Sequence, residues 1–459
     1  MKNVSLFVLL IWTTSAAAQE IPSVTVHCTS ETERQHCAAD THAGVLLVRS
    51  TGSSSCLLGR TWGYDAAGVW VTEGCGAEFL VAGTATGPSA QPASAAPEPP
   101  QQSGADTEFS FYARFGSNMV ARDDELDVQD NGSRLAFDFS IGDDVRFFAK
   151  GEWSVNLTGA GTELNPGEST DSGFIELESV SDDVFGSRLG YVGVDFGDNG
   201  TLTMGKQWGV HYDIATYTDA FNTFGSEASA TFNAGTDGGF AGTGRADGAL
   251  QYRNTFFDAV DVGLQAQFRS RRNDHFVDNY GLSLRARPWR GVEAGIAYTR
   301  ARVETALQRS VSGLDDDPEY WIAGVRYSGD ALTLAGIYSR QRNGDLVRIP
   351  VEEDDDIFDI PEVFDAEGVE LSARYQIGTV GLLAGFLNYD PKIEADNAFI
   401  DPDARRRFYI AGVDYFPTPR TRLYAEFRLG DGIDALGEDL EDVFVLGAKY
   451  EFSANRLKD

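Results

Sequence analysis

The chain has 459 residues, with 70 acidic against 37 basic side chains for a formal charge of −33, and it is 12% aromatic with 50 glycines and only three methionines. That acidic balance excludes a nucleic-acid partner, because holding a polyphosphate takes a clustered basic surface. Glycine and aromatic side chains in this proportion suit strands and turns, and the length admits one large barrel beside a smaller domain.

In chain order, the first element reads as a secretory signal. Lys2 supplies the positive start, Leu6 to Trp12 the apolar core, and Ala16-Ala17-Ala18 the small-residue cleavage site before Gln19. The apolar run is too short for a membrane anchor. After residue 19 no stretch approaches the ~20 apolar residues of a spanning helix. Residues 1–18 are expected to be removed on export, and any membrane crossing must be made by strands.

Residues 19–82 hold all four cysteines, Cys28, Cys37, Cys56 and Cys75. In an oxidising compartment an even set implies two disulfides with three pairings open, of which Cys28–Cys37 with Cys56–Cys75 is favoured. Zinc is the rival reading, supported by His27, His36 and His42. It is set aside because no C-x-x-C pair occurs, so no metal or other cofactor is expected. The run Gly59–Val81 alternates around Trp62, Tyr64, Val69 and Val71 as short strands do. Its Trp62-Gly63-Tyr64-Asp65, Gly68-x-Trp70-Val71 and Gly74-Cys75 elements resemble a small Cys-containing bacterial envelope domain of unknown function, over about 25–81. Residues 83–104, rich in Pro, Ala and Ser, form a solvated linker.

From Asp106 a different pattern begins. Phe109, Phe111, Ala113 and Phe115 alternate with Ser110, Tyr112 and Arg114; Leu135, Phe137 and Phe139 alternate with Arg134, Asp138 and Ser140. Alternation over about ten residues is the mark of a transmembrane β-strand, apolar to lipid and polar to the lumen. Such segments recur near 107–119, 132–142, 145–157, 186–196, 200–208, 246–254, 260–269, 279–287, 290–300, 319–328, 331–341, 368–377, 379–389, 406–416, 419–429 and 441–452. The fold class is therefore all-β: a 16-stranded antiparallel transmembrane barrel over 105–452, a small disulfide-containing domain before it, and a polar tail at 453–459.

The connections alternate short and long, as tight periplasmic turns and long outer loops do. Gly142–Asp144 and Gly197–Asn199 are short, whereas 158–185, 209–245 and 342–367 are long. Charge is segregated as well. Nine acids and no base lie between Ile349 and Gly368, and six acids and no base between Gly430 and Val443. Arg114, Arg134, Arg188, Arg253, Arg285, Arg287, Arg374, Arg420, Arg422 and Arg428 sit instead on polar strand faces. An Arg facing hydrocarbon costs roughly 2–4 kcal/mol at midplane, so these must face a wet interior. A basic wall and an acidic mouth are expected.

These residues together resemble the Gram-negative general porin family across about 105–452. The likeness is carried by Gly132-Ser133-Arg134-Leu135-Ala136-Phe137, Phe148-Ala149-Lys150-Gly151-Glu152-Trp153 and Ser187-Arg188-Leu189-Gly190-Tyr191. It is most specific from Met204-Gly205-Lys206-Gln207-Trp208-Gly209 through Tyr212-Asp213, Tyr217-Thr218-Asp219 and Phe224-Gly225 to Gln251-Tyr252-Arg253-Asn254. The resemblance implies a trimeric outer-membrane channel for small hydrophilic solutes, whose third outer loop, 209–245, folds inward to form an eyelet. Carried over, Asp219 matches a loop acid, Arg134, Arg188 and Arg245 match the wall cluster, and Arg114 sits near a further wall base. Asp213, Glu227 and Asp237 complete the expected loop acids, and Arg253 the wall bases. Two departures stand out: Thr223 replaces a family Glu before the Phe-Gly turn, and seven polar residues follow the terminal aromatic Phe452.

Other classes fit less well. An enzyme is disfavoured because only His211 and His275 occur in the barrel region, neither in a motif with a nucleophile. An adhesin is a further alternative. A substrate-specific channel would use lumen aromatics such as Tyr112, Phe148 and Tyr424 as a sugar track, or the basic wall for anions. The first domain is expected in the periplasm as an envelope-tethering or interaction module for peptidoglycan or another envelope partner. Lipid and lipopolysaccharide are the expected surroundings of the barrel, and the acidic loops are candidates for bridging divalent cations to the latter.

Overall fold

A computed structural model describes residues 23–39, 41, 45–52, 54, 56, 61–65, 67–82, 107–122, 125–158, 184–232, 237–268, 276–303, 308, 311, 313–353, 356–394, 400–434 and 437–457. The expected signal peptide at 1–18 and linker at 83–104 lie outside these residues, as does His275. The chain divides into two compact units, Met1–Gln101 and Gln102–Asp459.

The first unit has two small antiparallel sheets. β1 (Ser23–Thr29), β6 (Gly76–Ala82) and β3 (Val45–Ser50) form one; β2 (Gln35–Cys37), β5 (Gly68–Val71) and β4 (Trp62–Asp65) form the other. Their alternating side chains meet in a core of Trp62, Val69, Val71, Phe79 and Val81 around Cys28 and Cys75. Disulfides join Cys28 to Cys37 and Cys56 to Cys75. A core this small is marginal by itself, which is why two cross-links accompany it.

The second unit is a closed antiparallel barrel of sixteen strands among the described residues. β7 (Thr107–Arg122) opens it. β8 (Glu125–Asp130) and β9 (Arg134–Ile141) pair successively along β7 and form one strand interrupted at Asn131-Gly132-Ser133. β10 (Arg146–Val155), β11 (Phe185–Asp195), β12 (Thr201–Trp208), β13 (Arg245–Phe256), β14 (Val260–Gln267), β15 (Asn279–Trp289), β16 (Val292–Ala301) and β17 (Glu319–Ser328) follow as nearest neighbours. β18 (Leu332–Glu353), β19 (Asp356–Ile377), β20 (Val380–Lys392), β21 (Arg406–Thr418), β22 (Thr421–Gly430) and β23 (Val443–Leu457) complete the wall, and β23 pairs with β7 to close it. Closure leaves no edge strand, the only way a sheet can cross hydrocarbon with its backbone satisfied.

The period-2 pattern sets the faces. Phe109, Phe137, Phe147, Met204, Leu264 and Leu446 are exposed on the outside, where lipid would cover them. Their polar neighbours point inward.

Two stretches differ from the sequence reading. The connection expected at 342–367 is largely a hairpin: β18 and β19 run 22 residues each and stay paired as far as Glu353↔Asp356. A run of acids with interleaved Val, Ile and Phe has no lipid-facing alternation to reveal it, yet its backbone can extend the ladder in water. At the other end, β23 continues past Phe452 to Leu457, pairing with β7 as far as Glu108, so most of the expected tail is strand.

Candidate functional site

Between β12 and β13 the chain turns into the barrel. Trp208 ends β12 and stacks on Tyr212 with centroids 3.9 Å apart. A single turn of helix, α1 (Tyr212–Ala215), follows. It lies against inward positions of β14 to β17 that are glycines. A Cβ on Gly281 would come 2.7 Å from Val210, and one on Gly295 would come 2.3 Å from Ile214. Glycine here makes room for the loop. Ile214, Ala215 and Tyr217 then bury against Ala297, Ile322 and Ile337, and full burial of a side chain such as Ile214 is worth about 1.5–3 kcal/mol.

Beyond α1 the loop is held by wall carboxylates. Glu370 on β19 accepts the Ala228 backbone N–H at 2.8 Å and the Thr218 hydroxyl. Glu426 on β22 accepts the N–H groups of Asn222 and Thr223 at 2.6 and 2.9 Å. Opposite, the interruption between β8 and β9 turns Asn131 inward, and its Nδ2 donates to the Asn222 carbonyl at 3.0 Å. The two carboxylates and Asn131 thus meet loop backbone groups through charged or buried hydrogen bonds, which are costly to leave unmade.

The expected loop acids therefore separate. Asp219 is exposed, accepts the Tyr212 hydroxyl at 2.7 Å, and faces a cavity of about 910 Å³. The other three serve as anchors. Asp213 meets Arg253 at 2.5 Å and accepts the Ser283 hydroxyl at 2.6 Å. Glu227 is buried between Arg406 and Arg428 at 3.2 and 3.1 Å. Asp237 meets Lys206 at 2.7 Å and Arg245 at 3.8 Å at the loop's base. Thr223 is 2% exposed and its hydroxyl accepts from Asn118 Nδ2 at 3.2 Å, so that position faces the wall and not the cavity.

The bases separate in the same way. Arg114, Arg134 and Arg188 line the cavity with Asp219. Arg245, 4% exposed, lies over the Trp208 and Phe232 rings at 5.6 and 5.8 Å and is outside that lining. Arg253 and Arg428 are loop anchors. Nor is the wall simply basic, as charge segregation along the chain suggested. Arg188 and Arg134 meet Glu152 at 2.7 and 3.6 Å, Arg114 meets Glu451 at 2.8 Å, Arg285 meets Asp261 at 3.3 Å, and Arg374 pairs with Asp414. Sequence reasoning did not single out Arg326, Arg374, Arg422 and Lys449 as site residues, although all four also line the cavity. The polar-face alternation carried the signal, since each falls on an inward position of its strand.

Of the aromatics considered as a sugar track, Tyr112 lines the cavity. Tyr424 does not: it is 4% exposed, bound to Asn131 and Asn118 beneath the loop. Phe148 packs edge-on against Tyr191 at 6.4 Å. His211 is fully buried with Nε2 2.8 Å from the Ser229 carbonyl oxygen, a tie within the inward loop.

Comparison with known sequences is decisive at this point. A family described as Gram-negative porin matches residues 80–434. This chain belongs to that family. Residues 25–95 match a second family, described only as a protein of unknown function, DUF3011. The porin is 28% identical over 321 residues to outer membrane porin PhoE of Enterobacter cloacae, covering 67% of this chain and 84% of the relative. It is 25% identical to outer membrane porin F of Xenorhabdus nematophila, covering 66% and 80%. Among solved structures its fold is similar to OmpF of Salmonella typhi, in complex with daunomycin, at a TM-score of 0.57 and 21% identity, covering 76% of this chain and 98% of that one. As a porin it forms a water-filled channel for passive diffusion of small hydrophilic solutes, and its inward loop, 209–245, narrows that channel.

Proposed function

We propose that this porin conducts small hydrophilic solutes and ions across the bacterial outer membrane without chemistry, as a homotrimer with its N-terminal unit in the periplasm. The eyelet in this reading lies between Asp219 on the loop and the bases Arg114, Arg134 and Arg188 on the wall. The observation that carries it is the loop's attachment: carboxylates on β19 and β22 grip loop backbone, and that holds Asp219 in one cavity with wall bases. A loop fastened at so many points keeps a fixed aperture, as a size filter requires. Asp213, Glu227 and Asp237 support the filter as ties to the wall.

The test is reconstitution of the purified full-length chain in planar bilayers. Stepwise conductance that scales with the conductivity of the bathing salt is expected, with closure in thirds of the full step under high voltage. A protein that inserts and gives no steps would sink the channel reading, and closure in a single step would sink the trimer. For the N-terminal unit we propose an envelope-binding role. Sedimentation of the full chain in detergent with purified peptidoglycan tests it, and equal pelleting after deletion of residues 19–82 would count against it.

A further inference from the structure

Resting on the envelope-binding reading of the N-terminal unit, we propose that the outer face of its β2–β5–β4 sheet binds the stem peptides of peptidoglycan, with Arg34 taking a peptide carboxylate and Asp65 a neighbouring amine. Alternation along β5 sets the two faces. Val69 and Val71 are 0% exposed in the core, which turns Trp70 outward. His36 on β2 and Gly63 on β4 are the direct cross-strand partners of Trp70, so both share its face. Arg34 precedes His36 by two residues and lies over the indole, with its guanidinium carbon 3.9 Å from the ring centroid. Glycine at 63 leaves room for this stack, because a Cβ there would come 2.5 Å from Trp70 Cζ2.

Arg34 differs from Arg49 on the other sheet. Arg49 gives its charge to Glu78, 2.5 Å away. Arg34 is exposed, and its one contact among the described residues is the Trp70 ring; no carboxylate or carbonyl there accepts from it. The ring limits how the guanidinium can turn, while its five N–H donors stay at its rim. A planar carboxylate matches two of those donors in parallel. Asp65 supplies the opposite sign on the same sheet. Its Oδ2 lies 2.9 Å from His36 Nε2, its Oδ1 accepts the Ala67 backbone N–H at 2.9 Å, and its side chain is 49% exposed. The His36 hydrogen bond, and then that backbone N–H, hold the Asp65 carboxyl below the usual carboxylate range, so it is charged at neutral pH. One small face thus presents an open guanidinium fork and a carboxylate. A neutral glycan strand answers neither charge. A stem peptide, with free carboxylates beside the amine of its diamino residue, answers both.

The experiment sediments the full-length chain, in detergent micelles, with purified peptidoglycan sacculi. One arm uses intact sacculi, a second uses sacculi stripped of stem peptides by an amidase, and a third adds a soluble stem tripeptide as competitor. Pelleting with intact sacculi is expected, with little on the stripped glycan. The tripeptide should release the protein, and the same peptide with its carboxylates amidated should not. Arg34→Gln should raise the half-saturating amount of sacculi on the order of tenfold, the loss of one or two charge-assisted hydrogen bonds. Asp65→Asn should act in the same direction, and Arg49→Gln, on the other sheet, should change nothing. Equal pelleting on intact and stripped sacculi would assign binding to the glycan and overturn the site. Parent-like pelleting by Arg34→Gln, where deletion of residues 19–82 abolishes pelleting, would overturn the site and leave the envelope-binding reading intact. No pelleting of the parent chain would defeat that reading and the site with it. If Arg34→Gln fails to fold, Arg34→Lys keeps the charge and removes the fork; weaker pelleting is expected there too, and parent-like pelleting would overturn the site.

Discussion

Glu227 of the inward loop meets Arg428 on β22 at 3.1 Å, with both side chains almost wholly buried. Arg406 on β21 reaches the other carboxylate oxygen at 3.2 Å. A carboxylate that composition alone would place at the solvated mouth is therefore a staple between loop and wall. Removing one member of a buried ion pair costs about 3–5 kcal/mol, because the remaining charges are left without a partner in low dielectric. Glu227→Gln should leave the barrel assembled but release the loop tip. Current recordings should show frequent flicker between levels, and limited proteolysis should cut within 216–232. A quiet channel with a protease-resistant loop would show that the staple contributes nothing to loop position.

Gly368 on β19 is a second contact of this kind. A Cβ at this position would lie 1.8 Å from the Ala228 carbonyl oxygen, which already accepts the Ser339 hydroxyl at 2.6 Å. Backbone cannot yield as a flexible side chain does, and overpacking typically costs about 1–3 kcal/mol. Gly368→Ala is expected to push the loop off the wall and change single-channel conductance while the strand ladder survives. Conductance identical to the parent channel would mean that the loop accommodates the methyl group elsewhere.

In the N-terminal unit the Cys56–Cys75 disulfide closes a loop with a sequence separation of 19. Cross-links over loops near this length contribute about 3 kcal/mol, chiefly by restricting the unfolded chain. The double variant Cys56→Ser with Cys75→Ser should therefore expose residues 25–82 to protease at ambient temperature. The barrel's own thermal transition should not move, since its strands close on themselves from β7 to β23. A shift of several degrees in that transition would mean that the two units fold as one.

Alternation made the sixteen strands legible, because lipid on one side and water on the other act on every second residue. It stopped being informative where both faces are wet. That is why the outer half of the β18–β19 hairpin read as a loop, and why the strand after Phe452 read as a tail. The site was legible as residue types and not as partnerships. Glu227 finds Arg406 and Arg428, and Ala228 finds Glu370, across 142 to 201 residues of sequence. No local pattern encodes such pairs. The glycines beneath α1 are equally silent, since nothing in Gly281 or Gly295 says that Val210 or Ile214 will lie on it.

The same difficulty bears on the Arg134 and Arg188 pair, whose neutralisation, counted as charge alone, would make the channel favour cations. Glu152 changes the magnitude of that expectation. Arg188 is 2% exposed with Nε 2.7 Å from Glu152 Oε1, whereas Arg134 is 3.6 Å from the same oxygen. Removing Arg188 leaves Glu152 with Arg134 as a compensating charge, so the cavity loses one positive charge but gains no isolated carboxylate. Glu152→Gln does the opposite: two bases lose the carboxylate they share, and the local charge rises by one. Reversal potentials in a KCl gradient should therefore move toward potassium in Arg188→Gln and toward chloride in Glu152→Gln, with the double variant near the parent value. Because Arg188 is buried, Glu152→Gln should also cost about 3 kcal/mol or more of stability, read as a lower melting temperature of the assembled barrel. Unchanged reversal potentials in both single variants would show that neither charge is felt by the passing ion.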